Sequence, residues 1–163
     1  MAAVLLFAFP IAMVLAAATD LASMTIPNRL VLALALVFPA FALAAGWPLP
    51  SVGVHLAAGL AMLCITFGCF AAGWMGGGDA KLLAAAALWL GPTPTLLTFL
   101  VWTSVLGGVL TLAFVLARTC LAPTTGVASL DRLLRADTGI PYGVAIAGGG
   151  LLSVPALLAT LPA

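Results

Sequence analysis

The chain has 163 residues, of which 65% are hydrophobic and 6% charged, with a net charge of +1 and a mean hydropathy of +1.34. This composition excludes a soluble globule and indicates an all-α, polytopic membrane protein. Each crossing of the roughly 30 Å hydrocarbon core takes about 20 apolar residues, which leaves room for about six short-looped transmembrane helices. Residues 1–163 then read as one integral-membrane domain, and the absence of a basic tract argues against nucleic acid as a partner.

Six segments follow in chain order. The first runs from about Ala2 to Thr19. Ala16-Ala17-Ala18 would suit a signal-peptide cleavage site, but Met1 to Pro10 carries no basic n-region, and cleavage would remove a helix that the charge pattern needs. A retained first helix is the favoured reading. The second segment begins after Ile26-Pro27-Asn28 and ends near Gly46, before Trp47-Pro48-Leu49-Pro50. The third extends from about Ser51 to Met75, and the fourth, shorter, from Asp79 to Gly91. Thr93-Pro94 has the form of a capping residue followed by a first-turn proline and opens the fifth, which ends near Ala117. A polar loop leads to Pro141, which opens the sixth, ending near Leu161.

The basic residues set the topology. Arg29 follows segment one, Lys81 follows segment three, and Arg118, Arg132 and Arg135 follow segment five. All lie on one side, so the positive-inside rule puts those loops in the cytoplasm and both termini outside. Cys64, Cys69 and Cys120 have no zinc-ligand spacing, and the first two read as packing residues. Gly68/Ala72 and Gly107/Gly108 would permit close helix approach, a spacing too common to define the oligomeric state.

Before Asp131 the only carboxylates are Asp20 and Asp79. Each stands where an apolar run breaks, and both fall on the cytoplasmic side. Ionisable groups in or near a bilayer are costly and point to function. Segment four, residues 79 to 91 inclusive, spans roughly 20 Å at about 1.5 Å per residue, about 10 Å short of the hydrocarbon core. If Gly91 reaches the outer interface, Asp79 starts its helix below the inner surface, and Gly76-Gly77-Gly78 would be irregular backbone lining a cavity open to the cytoplasm. Taken singly, Asp79 reads as a helix N-cap and Asp20 as an interfacial residue ending segment one. Brought together, the two would hold a single proton near neutral pH, as an aspartyl protease requires: the ionised partner activates water and the protonated one polarises a carbonyl. Spacing alone does not bring the side chains into contact.

Three motifs in order carry a resemblance. Asp20 through Ile26-Pro27-Asn28 resembles the D-x5-IPN signature of type IV prepilin peptidases. Gly76-Gly77-Gly78-Asp79-Ala80-Lys81-Leu82 is similar to their GxGDxKL signature, and Ile140-Pro141-Tyr142-Gly143-Val144-Ala145-Ile146-Ala147 to the PYG-x-AIA stretch opening their last helix. The resemblance implies a GxGD intramembrane aspartyl protease of the bacterial inner membrane, with Asp20 and Asp79 as the catalytic pair and no cofactor or metal. It also implies that Gly76, Gly77, Gly78, Pro27, Asn28, Lys81, Pro141, Tyr142 and Gly143 shape the site or bind substrate. The implied partners are prepilin-like proteins whose leader is removed after a glycine preceding an apolar N-terminal helix. The chain lacks the cysteine-rich zinc segment of larger members, so it resembles the compact peptidases of Tad/Flp pilus systems, and methyltransferase activity is not implied. Leu21 to Thr25 also lacks the basic residues frequent there, which shifts substrate orientation toward Arg29 and Lys81.

Other residues have simpler roles. Pro27 and Asn28 read as a turn and helix cap, Lys81 as a headgroup anchor, and Tyr142 as part of the interfacial aromatic belt or a substrate contact. His55 lies at the end away from the aspartates, with no second histidine to share a metal. Leu130, Leu133 and Leu134 form one face of a short helix expected on the membrane surface, with a gating role as the alternative. Two rival functions fit the same carboxylates less well: a small proton-coupled transporter, which would predict inverted repeats that the chain does not display, and a noncatalytic pilus-assembly subunit, which would need neither aspartate.

Overall fold

A computed structural model gives the structure for residues 1–122, 124 and 126–161. Among the described residues the regular elements are α1 (Ala2–Leu6), α2 (Ala8–Ser23), α3 (Asn28–Ala44), α4 (Leu49–Ala71), α5 (Gly77–Leu90), α6 (Pro94–Cys120), α7 (Ala128–Leu134), α8 (Tyr142–Leu152) and α9 (Val154–Leu158). The protein is an all-α polytopic membrane protein. Three stretches, Ala2–Ser23, Leu49–Ala71 and Pro94–Cys120, are long and apolar enough to cross a bilayer, and α3 and α8 are shorter apolar helices.

The six predicted segments are present, two of them interrupted by prolines. Segment one is divided at Phe7 and segment six at Ser153. Pro10 and Pro155 lack the N–H that Leu6 and Leu151 would otherwise receive, which loosens the ladder at both places. Pro94 does open α6, but Thr93 turns its hydroxyl back to the Leu90 carbonyl (2.9 Å) and makes no side-chain cap.

Helix α5 is the centre of the bundle. Ala80 and every residue from Leu82 to Leu90 are buried, as expected of a helix enclosed on all sides. It packs along α4 and is flanked by α3 and α8, while α2 and α6 pack on α8. Lipid competes well for apolar side chains, so close packing and interhelical hydrogen bonds hold such a bundle together. The Trp89 indole donates to the Leu34 carbonyl at 3.0 Å, within a nest of Phe9, Phe38 and Phe41 rings. Thr66 donates to the Ala80 carbonyl at 3.1 Å. His55 Nδ1 meets the Leu88 carbonyl at 3.0 Å and its ring stacks on Phe38, fastening α4 to α5 and α3.

Two boundaries and one helix face differ from expectation in ways that matter for the site. Helix α2 continues through Ser23, so Asp20 lies inside its last turns and not at its end. Leu21 and Ala22 are good helix formers, and the Ser23 hydroxyl bonds the Thr19 carbonyl at 2.7 Å. Met24 then ends the helix in a left-handed conformation, φ 55°. Gly77 and Gly78 are helical, so the irregular backbone expected across all three glycines ends at Gly76. Helix α5 has 14 residues, roughly 21 Å of rise, and remains too short to span alone. In α7, Leu133 and Leu134 are buried within the protein while Leu130 is exposed, so most of the apolar face expected on lipid is turned to α2 and α6.

Candidate active site

The D-x5-I spacing has a simple structural meaning. Asp20 points inward from α2, and after the left-handed Met24 and a short extended turn, Ile26 points inward as well. Both are buried, Asp20 at 5% exposure. An inward carboxylate needs a partner, and the first turn of α8 supplies one: the Gly143 N–H donates to Asp20 Oδ2 at 2.7 Å. Pro141, buried and at the N-cap of α8, sets the direction in which that turn begins.

Asp79 arrives from the opposite side. Gly76 occupies the N-cap of α5, which puts Asp79 at the third helical position. Its carboxylate reaches back to the Gly76 backbone, in the manner of the acidic half of a capping box. The N-cap reading is thus corrected: the cap position belongs to Gly76, and Asp79 serves the helix end from within. Ile26 packs against Gly78 of α5 and Gly143 of α8, and Gly143 holds Asp20, so α2 and α5 bring the two isolated carboxylates to the same end of the bundle. Asp79 lines a cavity of about 340 Å³, shared with Leu83, Ser104, Gly108, Tyr142 and Ile146.

Glycine is required where these elements converge. A Cβ on Gly143 would fall 2.8 Å from Asp20 Oδ2 and 2.9 Å from Ile26 Cδ1, and one on Gly78 would lie 3.2 Å from Ile26 Cβ. Ile26 therefore wedges between the start of α5 and the start of α8. A Cβ on Gly76 would come within 3.0 Å of Asp79 Oδ2, and one on Gly77 within 3.2 Å of the Phe70 ring. Side-chain-free backbone lets four elements approach one point.

Of the remaining sequence-derived residues, Tyr142 lines the cavity, whereas Asn28 and Lys81 line a separate groove between α3, α4 and α5. Pro27 holds the N-cap of α3, and Asn28 begins the helix without capping it. The Asn28 side chain instead accepts a 2.7 Å hydrogen bond from Lys81 Nζ, so Lys81 ties α5 to α3 at the surface. Tyr142 lies against Gly107, and its hydroxyl pairs with Thr111 Oγ1 at 2.8 Å, joining α8 to α6 beside the cavity. His55 is at the other end of α5, among Phe38 and Trp47.

Sequence reasoning gave Arg118 and Arg132 only a topological role. Arg118 donates through Nε to the Leu133 carbonyl at 3.0 Å and through Nη2 to the carbonyls of Thr138 and Gly139 at 2.9 Å each. Arg132 donates to the Ala22 carbonyl at 2.9 Å. Together they lash α7 and the approach to α8 onto α6 and α2. Their acceptors are backbone carbonyls, which leave no mark in a sequence. Ile26 was legible as part of a motif, but not as the wedge between two glycines.

No curated protein and no solved structure matches the chain. A family model, described as the type IV leader peptidase family, matches residues 7–112. The matched stretch contains Asp20, Asp79 and the cavity-lining part of α6, and stops before α8. With both motif aspartates inside a match covering most of its length, the chain belongs to the type IV leader peptidase family.

Proposed function

We propose that this peptidase is an aspartic endopeptidase that removes the leader from prepilin-like precursors, with Asp20 and Asp79 as its catalytic pair. The observation that supports the reading is that Asp79 lines a cavity at the start of α5, while Ile26 packs against both Gly78 of that helix and Gly143 of α8, whose N–H holds Asp20. In this mechanism one carboxylate takes a proton from water as the water oxygen bonds to the scissile carbonyl carbon. The partner's proton passes to the carbonyl oxygen. Collapse of the resulting gem-diol breaks the C–N bond, and the departing nitrogen takes a proton from a carboxyl group. The proposed partners are precursors whose apolar N-terminal helix stays in the bilayer while the leader reaches the site.

The proposed setting is the bacterial inner membrane, with the site facing the cytoplasm and both termini outside. Its support is the charge distribution: Arg29, Lys81, Arg118, Arg132 and Arg135 all follow odd-numbered segments, and Lys81 lies beside Asp79 at the start of α5. Only Met24 to Pro27 separates α2 from α3, which supports the compact Tad/Flp-pilus type. The family match favours a peptidase over a proton-coupled transporter or a noncatalytic assembly subunit.

The test is co-expression of a candidate prepilin with the wild-type protein, Asp20→Asn or Asp79→Asn in a host without another such peptidase. Each variant is expected to slow leader removal by about a hundredfold or more. Wild-type-like processing in either variant would sink the assignment of the pair.

A further inference from the structure

The cavity that Asp79 lines continues away from the carboxylates along a seam of the bundle. Helix α4 packs along α5 and α6 packs along α8, while α5 and α6 touch only slightly. Leu83 of α5 and Ser104 and Gly108 of α6 face each other across this seam. On α6 the pair Thr103/Gly107 is spent on α8: Gly107 receives the Tyr142 ring, and Thr103 packs against Gly149. The neighbouring pair, Ser104/Gly108, is one helical turn apart and exposed, and a Cβ added at Gly108 would meet nothing within 4 Å. A small-xxx-small ridge allows a second helix to approach closely, and here that ridge borders the cavity of Asp79. A second observation concerns Thr103, which lines the same cavity. Its Oγ1, turned to Gly149 of α8, is the one buried side-chain polar atom, among the described residues, without a hydrogen-bond partner, so this face of α6 is closed by α8 and the adjoining Ser104/Gly108 face is the one that borders the seam.

We infer that this seam is the lateral seat of the substrate's apolar helix, which slides in from the bilayer between α5 and α6 along Ser104 and Gly108 and delivers its N-terminal junction to Asp79. The inference rests on the peptidase reading above and adds the route and the contact surface. The groove between α3, α4 and α5, about 480 Å³ and lined by Leu32, Leu60 and Lys81, does not include either catalytic aspartate. It therefore serves as the control surface. An end-on route from the cytoplasm would make the leader the main determinant of binding, whereas a lateral seat makes the helix one.

The experiment uses the full-length protein in proteoliposomes with two substrates: a prepilin carrying its entire apolar helix, and a short soluble peptide spanning the cleavage site. Gly108→Leu places a bulky side chain at the seam, where its Cβ would meet no atom within 4 Å. It is expected to lower kcat/KM for the helix-bearing substrate by at least about tenfold more than for the peptide. Leu60→Trp, in the other groove, is expected to leave both unchanged. Equal effects of Gly108→Leu on the two substrates, or a selective loss in Leu60→Trp, overturn the inference while leaving the peptidase reading intact. A wild-type protein that cleaves neither substrate overturns both. As an independent measurement, Gly108→Cys in a background without Cys64, Cys69 and Cys120 should crosslink to a cysteine in the substrate's apolar helix. Crosslinking only from Leu60→Cys would place the helix in the wrong groove and refute the seat proposed here.

Discussion

The Gly143 N–H and Asp20 Oδ2 stand 2.7 Å apart, so the first turn of α8 and the last turns of α2 are joined at the carboxylate itself. There is no slack in this joint. A Cβ at position 143 would meet Asp20 Oδ2 at 2.8 Å, Ile26 Cδ1 at 2.9 Å and Asp20 Cβ at 3.0 Å. Overpacking of this kind costs about 1–3 kcal/mol. Gly143→Ala must either push α8 outward or turn Asp20 away from Asp79. Leader cleavage is expected to fall by about tenfold or more, since about 1.4 kcal/mol in the barrier is one decade in rate. Assay of the purified variant, alongside its thermal midpoint, checks this; wild-type kcat/KM in folded protein would show that the joint does not position Asp20.

Ile26 offers a way to relieve the same contact. Its Cδ1 is one of the atoms that a Cβ on Gly143 would strike, and Ile26→Val deletes it. Alone, the change removes one buried methyl group and is expected to destabilise by about 0.5–1.5 kcal/mol. Combined with Gly143→Ala, it should restore part of the lost activity, giving a favourable coupling of about 0.5 kcal/mol or more. Strict additivity in the double-mutant cycle would mean that Ile26 and position 143 do not share the strain.

The contrast between these residues and the arginines shows what the sequence could disclose. Two carboxylates in an almost uncharged apolar chain stand out, and the glycines beside Asp79 mark where backbone approaches closely. The six apolar segments, the fourth of them short, followed from hydropathy and its breaks; the enclosure of that fourth segment by its neighbours did not. The end of α2 did not, because Leu21 and Ala22 carry the helix past the polar residue that seemed to close it. Nor did the helical state of Gly77 and Gly78, whose weak intrinsic preference is overridden by packing on Phe70 and Ile26. Pattern assigns residues to segments, while tertiary contacts decide where each helix starts and what its polar groups hold.

Arg118 supplies a further prediction. It donates to three carbonyls, those of Leu133, Thr138 and Gly139, and so steadies the chain entering α8, whose Gly143 holds Asp20. Arg118→Lys keeps the charge but loses the planar fork that spans separate acceptors. Both Arg118→Lys and Arg118→Ala are therefore expected to reduce cleavage by roughly threefold to thirtyfold, about 0.7–2 kcal/mol at the barrier. Limited proteolysis between residues 120 and 141 should quicken in both. If the lysine variant matches wild type in both readouts, charge and not the fork is what matters at this position.

Lys81 and Asn28 illustrate the opposite case. Their 2.7 Å hydrogen bond lies at an exposed position, where solvent replaces a lost partner at little cost. Lys81→Gln and Asn28→Ala are expected to change the thermal midpoint slightly, by the equivalent of about 0.5–1 kcal/mol, and cleavage by less than about threefold. A hundredfold loss in either would mean that the pair contacts the substrate.

The far end of α5 tests whether stability and catalysis separate. Gly91 terminates α5 with φ 62° and ψ −177°, a conformation reached almost only by glycine and costing other residues about 1–3 kcal/mol. A Cβ there would also collide with the His55 ring, whose Nδ1 bonds the Leu88 carbonyl one turn earlier. Gly91→Ala thus meets two separate penalties, one in the backbone and one in the ring. The thermal midpoint should drop clearly, while kcat per folded molecule stays near wild type, because Asp79 stands at the other end of the helix. Adding His55→Ala removes the collision but leaves the backbone strain and forfeits the Leu88 contact, so the double variant should recover little of the loss. Full recovery would assign the whole cost to the ring, whereas a parallel fall in kcat would mean that strain at the closed end of α5 is transmitted along its buried length to Asp79.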